Sequence, residues 1–210
     1  HAHIYGQVGH MLRAGAEFIS FYAKEPALAA AFSERFPQVR LAGSSREILE
    51  DESVHMILSA GIPCERGPLG VEVMRHGKDY MSDKPGFTTL AQLEEARRVQ
   101  AETGRIYSIC YSERHDNQST VRAGQLVHSG AIGQVVQTIG MGPHRIGLHN
   151  RPQWFFERDQ YGGILADIGS HQMDQFLYFT GSTQAEVVAS QVANYKNPQH
   201  PGLEDFGEAM

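Results

Sequence analysis

Asp167, His171 and Asp174 stand four and three residues apart in the stretch GGILADIGSHQMDQFLYFTG, residues 162–181. On an α-helix those spacings put all three side chains on one stripe. Ile164, Leu165, Ile168, Met173, Phe176, Leu177 and Phe179 around them predict a helix packed into an interior. Titratable groups there carry a desolvation cost unless they are paired or used. The imidazole of His171 titrates near neutrality and suits proton transfer, while Asp167, one turn earlier, suits orienting that ring or holding a substrate hydroxyl. Two other readings compete. In the first, Asp167 caps the helix and His171 is a hydrogen-bonded core histidine. In the second, His144, His149, Asp167, His171 and Asp174 supply nitrogen and oxygen ligands to zinc or manganese in a hydrolase or isomerase. GPHRIGLHN lacks compact ligand spacing, and the stripe holds one histidine where an H-E-x-x-H helix has two, so no metal is expected.

The elements that must position these groups alternate along the first half. Residues 3–14 read as a helix ended by Gly15, 16–22 as a strand, and Pro26 opens a second helix. VRLAG reads as a short strand and SREILED as a short helix, and VHMILSA, residues 54–60, as a central strand of a parallel sheet. A helix through GPLGVEVMRHG and the strand KDYMS follow. Thr89 and Gln92 then stand at capping-box spacing ahead of LAQLEEARRVQAETG, and RIYSICYS is the next strand. This rhythm implies βαβ units and a Rossmann-like, doubly wound α/β sheet. After about residue 115 it changes. NQSTVRAGQLVHSG reads as a helix, GQVVQTIGMGPHRIG as containing a strand, and AEVVASQVANY as another strand, which suggests an α+β domain on an open, mostly antiparallel sheet. The expected domains are 1–115 and 116–210.

The chain has 210 residues, is 41% hydrophobic and 20% charged, and carries a net charge of −6, so it is globular rather than disordered. That charge argues against a nucleic-acid partner, which needs clustered Lys and Arg. Cys64 and Cys110 form no CxxC pair and are expected as buried thiols in a reducing compartment. No apolar run reaches the roughly 20 residues of a membrane span. HAHIYGQVGH shows neither a basic nor a long apolar leader region. A cytoplasmic protein without a membrane partner is the expectation.

MSDKPGFTTL, residues 81–90, puts Lys84 just beyond a strand, at the sheet edge where open α/β folds bind ligands. Together with GGILADIGSHQMD, residues 162–174, about 83 positions on, it resembles the motifs of the glucose-fructose oxidoreductase, inositol dehydrogenase and MocA (Gfo/Idh/MocA) family. There a Glu-Lys-Pro motif ends the fifth strand of a Rossmann domain, and Gly-Gly…Asp-x-Gly-x-His-x-x-Asp opens a helix across the cleft. Asp83 stands in place of the usual Glu. The resemblance covers essentially the whole chain, but the first strand and its Gly-rich turn are expected to lie upstream of this sequence, leaving HAHIYG as their downstream edge. The second domain is expected to continue beyond residue 210.

The resemblance implies an oxidoreductase using NAD or NADP, moving a hydride to or from a carbinol carbon of a sugar, cyclitol or other polyol. Lys84, Asp167 and His171 are its implied catalytic residues. For the cofactor the candidates are His3, Ala23 and Lys24 where an acid would hold the ribose, Ala60 and Pro63 after the central strand, and Lys84 with Pro85. Lys24 leans weakly toward NADP, although a solvated surface lysine is the better explanation for it. Arg114, His144, Trp154, Asp167 and His171 are candidates for the substrate, Trp154 by stacking on a sugar ring. Glu113, His115, Arg145, Arg151 and Arg158 lie in the same neighbourhood. Asp174 is expected to contact loops or Arg residues. The resemblance further implies a homo-oligomer, dimer or tetramer, built on the second domain's sheet. A non-catalytic sugar- or cofactor-binding regulator of the same fold is the alternative.

Overall fold

A computed structural model describes residues 2–210. It opens with α1 (His3–Arg13), β1 (Ser20–Phe21), α2 (Pro26–Arg35), β2 (Arg40–Leu41) and α3 (Ser45–Glu50). Then come β3 (Met56–Ser59), α4 (Pro63–Arg75), β4 (Asp79–Asp83), α5 (Leu90–Thr103) and β5 (Tyr107–Cys110). β1 and β2 pair in parallel, and β3, β4 and β5 form a second parallel ladder with β4 in the middle. Strand–helix–strand units with parallel strands are therefore present as expected. β3 flanks this ladder rather than occupying its centre, and it is half-buried along its length while Tyr80, Ser82 and Asp83 of β4 are buried. Burial on both faces falls to the strand with two neighbours.

Local chemistry sets the helix ends. Pro63 sits at the first position of α4, so this helix begins four residues ahead of the expected Gly67 and absorbs Pro68. The Thr89 hydroxyl accepts from the Gln92 backbone N–H at 3.2 Å, and the Gln92 side chain reaches back to the Thr88 N–H at 3.0 Å. Three apolar clusters follow. Val8, Phe21, Ala29, Phe32, Phe36 and Val39 close α1 and α2 over β1, with Phe32 4.5 Å from Phe21 and 4.9 Å from Phe36, ring to ring. Val71 and Met74 of α4 meet Ala96 and Val99 of α5. On the other side of α4, Val73 joins Leu49 and Tyr80.

The later part holds α6 (Ser112–His115), α7 (Gln118–His128), α8 (Arg158–Tyr161), α9 (Ser170–Thr180), β6 (Ser190–Ala193) and β7 (Phe206–Ala209). β6 and β7 pair antiparallel, Ser190 opposite Ala209. Glu113, Arg114 and His115, which follow the strand RIYSICYS in sequence, are in α6. The strand expected within 133–147 is not formed: among the described residues this extended segment pairs with no other strand. It lies instead over α9, where Gly140 and Gly142 approach Gln172, and it leaves Val136, Ile139 and Met141 exposed. β7 lies in a stretch where no strand is expected from the residues. Cys64 and Cys110 are free and half-buried. No helix among the described residues is long and apolar enough to cross a membrane.

Candidate active site

Gly162 and Gly163 both adopt positive φ, 92° and 88°, which lets the chain turn sharply out of α8. A Cβ at Gly163 would collide with the side chains of Arg158 and Glu204. Those two form an ion pair at 2.7 Å, and Glu204 also accepts from the Ile164 N–H at 2.7 Å, so the turn is tied down from the β7 side. The next residues, Leu165–Gly169, form a π-helical turn that runs into α9. Such a widened turn is a frequent companion of functional sites. The helix is half-buried rather than sunk in an interior: His171 is its one buried residue, and Met173 is 37% exposed.

The three stripe residues take three different partners. Asp167 receives the Lys84 ammonium, Nζ lying 2.7 Å from Oδ1 and 2.9 Å from the Asp167 carbonyl oxygen. Asp174 is held by Arg114 through two hydrogen bonds, 2.6 Å and 2.9 Å, and the same guanidinium lies over the Tyr178 ring at 5.0 Å. Arg114, a candidate for substrate, thus spends its fork on the protein. His171 lies between them in sequence. Its Nε2 is 3.9 Å from Glu113 Oε1, its ring meets Tyr111 edge-on, and its buried Nδ1 has no hydrogen-bond partner among the described residues. Burial lowers the imidazole pKa below its ordinary value. Glu113 and Asp167 pull the other way, and the nearby Lys84 charge adds to the lowering.

Lys84 owes its position to a network at the tip of β4. The guanidinium of Arg66, 2% exposed in α4, donates to the carbonyl oxygens of Gly61, Lys84 and Pro85 and lies 3.4 Å from Asp83 Oδ2. Asp83 also meets His3 Nδ1 at 3.0–3.1 Å and accepts from Gln7 Nε2 at 3.1 Å. Burial opposes ionisation of Asp83, but the His3 hydrogen bond and the Arg66 charge outweigh it, and its pKa falls below the usual carboxylate value. The Lys84–Pro85 peptide bond is cis.

These groups open onto one cleft of about 420 Å³, counting the part that merges with solvent. His3, Pro63, Arg66, Asp83 and Lys84 form its sheet-side wall; His144, Arg151, Trp154, Phe155, Asp167 and Ile168 form the other. Of the three catalytic candidates Lys84 and Asp167 line the cleft, while His171 does not figure among the lining residues. Ala60 is buried at the end of β3. Ala23 packs against the first apolar cluster, and Lys24 is tied to Glu65 at 2.8 Å on the surface. Among the described residues no three His, Cys, Asp or Glu side chains are grouped to hold a metal ion, so the five candidate ligands do not converge.

Sequence reasoning missed Arg66 and Gln7. Nothing in ERGPLG marks that arginine as buried. Asp83 was visible as the residue before Lys84, without its role as the anion that a buried guanidinium requires.

Residues 120–210 match the model of the GFO/IDH/MocA C-terminal domain. A crystal structure of a protein named as an oxidoreductase from Erwinia carotovora atroseptica SCRI1043 superposes with a TM-score of 0.97 at 46% identity, covering 100% of this chain and 62% of that one. Myo-inositol 2-dehydrogenase from Lactobacillus plantarum shares the fold at a TM-score of 0.78 and 19% identity, over 93% of this chain and 58% of that one. Scyllo-inositol 2-dehydrogenase (NADP(+)) of Bacillus subtilis (strain 168) is 24% identical over 168 residues, 78% of this chain. The chain spans 45% of that relative's length. Residues 120–210 are thus a domain of the GFO/IDH/MocA C-terminal type, and the chain as a whole is similar in fold to oxidoreductases that include an inositol dehydrogenase.

Proposed function

We propose that the cleft serves hydride transfer between NAD or NADP and a carbinol or carbonyl carbon of a sugar, cyclitol or related polyol. The observation that carries this reading is the Lys84 ammonium at the tip of β4, held by a carboxylate from the π-turn ahead of α9. The residues at the sheet edge fit a dinucleotide. α1 and α4 both start there, and among the described residues neither carries a side-chain cap hydrogen bond. His3, Ala60, Pro63 and Pro85 would hold the cofactor along this edge. Lys24 is engaged with Glu65 and gives no preference between the two nicotinamides. When bound, the nicotinamide supplies the carbon that accepts or gives the hydride.

In this reading Lys84 meets the substrate oxygen and stabilises negative charge as the hydroxyl proton leaves. Asp167 fixes the ammonium and holds a neighbouring hydroxyl. His171, whose pKa burial lowers, is assigned as the group that receives the proton from behind the cleft wall, since it is not itself among the lining residues. Residues 1–115 act as the cofactor half and 116–210 as the substrate half, with Trp154 and His144 shaping the sugar side of the cleft. Self-association through the β6–β7 face belongs to the same proposal, since Val187, Val188 and Tyr195 are 58%, 70% and 65% exposed beside that ladder. Sedimentation would read it as a dimer or larger.

The test uses the natural protein that contains this sequence, a panel of polyols and sugars, and the absorbance of reduced nicotinamide. Turnover that Lys84→Ala abolishes is the expected result. Saturable sugar binding with no turnover under any cofactor would overturn the enzymatic reading in favour of a binding protein.

A further inference from the structure

The charges that line the cleft do not balance. Arg66, Lys84 and Arg151 are its permanent cations, against two carboxylates, Asp83 and Asp167. Arg66 pairs with Asp83 and Lys84 with Asp167. No carboxylate among the described residues pairs with Arg151, in a chain whose net charge is −6. The contacts of Arg151 position it instead. Its Nε donates to the Ile146 carbonyl at 2.7 Å, its Nη2 lies 3.4 Å from the Arg145 carbonyl oxygen, and its guanidinium stacks 4.1 Å above the Phe155 ring. Neither carbonyl nor ring neutralises it, and Nη1 makes no hydrogen bond among the described residues. Each carbonyl also constrains the plane of the fork, so the side chain is oriented before any ligand arrives. A half-buried, pre-oriented guanidinium with spare donors is built to take an oxyanion through parallel hydrogen bonds.

We infer that the substrate of this cleft is an acidic sugar, one carrying a carboxylate or phosphate group, and that Arg151 is the residue that selects it. The inference rests on the sugar-oxidoreductase reading for the sugar part of the ligand and on Arg151 for its charge. Lys84 and Asp167 lie on the same cleft, so the anionic group anchors one end of the molecule while its carbinol carbon faces the ammonium. Trp154, adjoining Phe155 at 6.1 Å between rings, adds an apolar face for the sugar between the two ends.

Trp154 is the only tryptophan in the sequence, so its emission reports on the cleft without turnover. The chain is titrated with glucuronate, glucose 6-phosphate and glucose, and the experiment is repeated with Arg151→Gln and Arg151→Lys. The expected result is a saturable change with glucuronate or with the phosphate at a concentration at least about tenfold below that for glucose. Which of the two acts first identifies the anionic group. Arg151→Gln should bring the acidic and neutral sugars together, and Arg151→Lys should retain part of the difference. A purely structural role in holding Ile146 would weaken all three ligands alike. Equal response to all three, or none, overturns the inference. The same panel in the nicotinamide assay separates the two proposals. Turnover of neutral sugars with no preference for acids sinks this one alone, while selective binding without turnover sinks the dehydrogenase reading alone.

Discussion

Lys84 reaches from the end of β4 to Asp167 and bonds both its carboxylate, at 2.7 Å, and its backbone carbonyl, at 2.9 Å. The pair joins residues 83 positions apart in sequence and fixes the ammonium on the wall of the cleft. Removing the charge by Lys84→Ala should lower kcat by about 10²–10⁴-fold, the usual worth of a proton-transfer or oxyanion partner. Asp167→Asn keeps the shape and the carbonyl contact but loses the charge, and should cost less. Steady-state kinetics on both variants and their double mutant would show strong non-additivity, because each variant already breaks the same pair.

Asp83 lies behind that pair, buried beside the equally buried Arg66. Asp83→Ala would strand a guanidinium that still holds three carbonyls but has lost its anion. Breaking a buried pair from one side costs about 3–5 kcal/mol, which urea unfolding would detect as a lower midpoint with an unchanged slope. The sign with pH follows from the lowered pKa of Asp83. Its contribution is complete above the ordinary carboxylate pKa of about 3.9 and is lost as pH falls through the lower folded value. The variant should therefore lose some of the acid sensitivity of the parent. An unchanged urea midpoint would show that Arg66 does not depend on this carboxylate.

How much of this was legible follows from which physics is local. The alternation of apolar runs with Gly and Pro placed β3, β4 and β5 and the helices between them, because periodicity and caps such as Thr89 act within a few residues. The helix carrying His171 and Asp174 was readable for the same reason, and so was Lys84 at a strand tip, whereas Asp167 falls in the π-turn ahead of α9 and not on one α-helical stripe with them. What the sequence did not carry was partner choice. That Asp174 takes both hydrogen bonds from Arg114, and that Asp83 answers Arg66, depends on elements brought together from distant positions. The segment 133–147 has the alternation of a strand, but a strand exists only with a neighbour to exchange hydrogen bonds, and here it lies over α9 instead. β7 failed in the opposite way: FGEA has weak propensity and becomes a strand through its pairing with β6.

Gly70 in α4 shows how tightly the parallel layer is built. A Cβ there would strike the rings of Tyr107 and Tyr80, which meet edge to face at 5.0 Å. Tyr80 is fully buried and cannot swing away. Gly70→Ala gains helix propensity yet should destabilise by about 1–3 kcal/mol, because overpacking a closed core outweighs the backbone entropy saved. Gly6→Ala in α1, where a Cβ meets nothing, is the control and should be neutral or stabilising. Thermal melts of the two would give opposite signs.

His171 supplies the pH test, and its sign can be worked out group by group. Burial holds its folded pKa below the ordinary value of about 6.5, so above that pH the ring is neutral both folded and unfolded. As pH drops below about 6.5 the unfolded chain takes up a proton that the folded chain refuses, and stability falls until the folded pKa is passed. His171→Gln should flatten that part of the stability profile. Its neighbours shift the same titration in opposite directions. The Lys84 charge lowers the pKa, so Lys84→Met should move the His171 titration, followed by NMR, to higher pH. Glu113 raises it, so Glu113→Gln should move it to lower pH. If His171 is the proton acceptor, the acid limb of kcat/KM must move with the NMR value in Glu113→Gln, whose side chain is outside the cleft lining. A limb that stays fixed while the imidazole titration moves would exclude His171 as the proton acceptor and leave it a packing residue beside Tyr111.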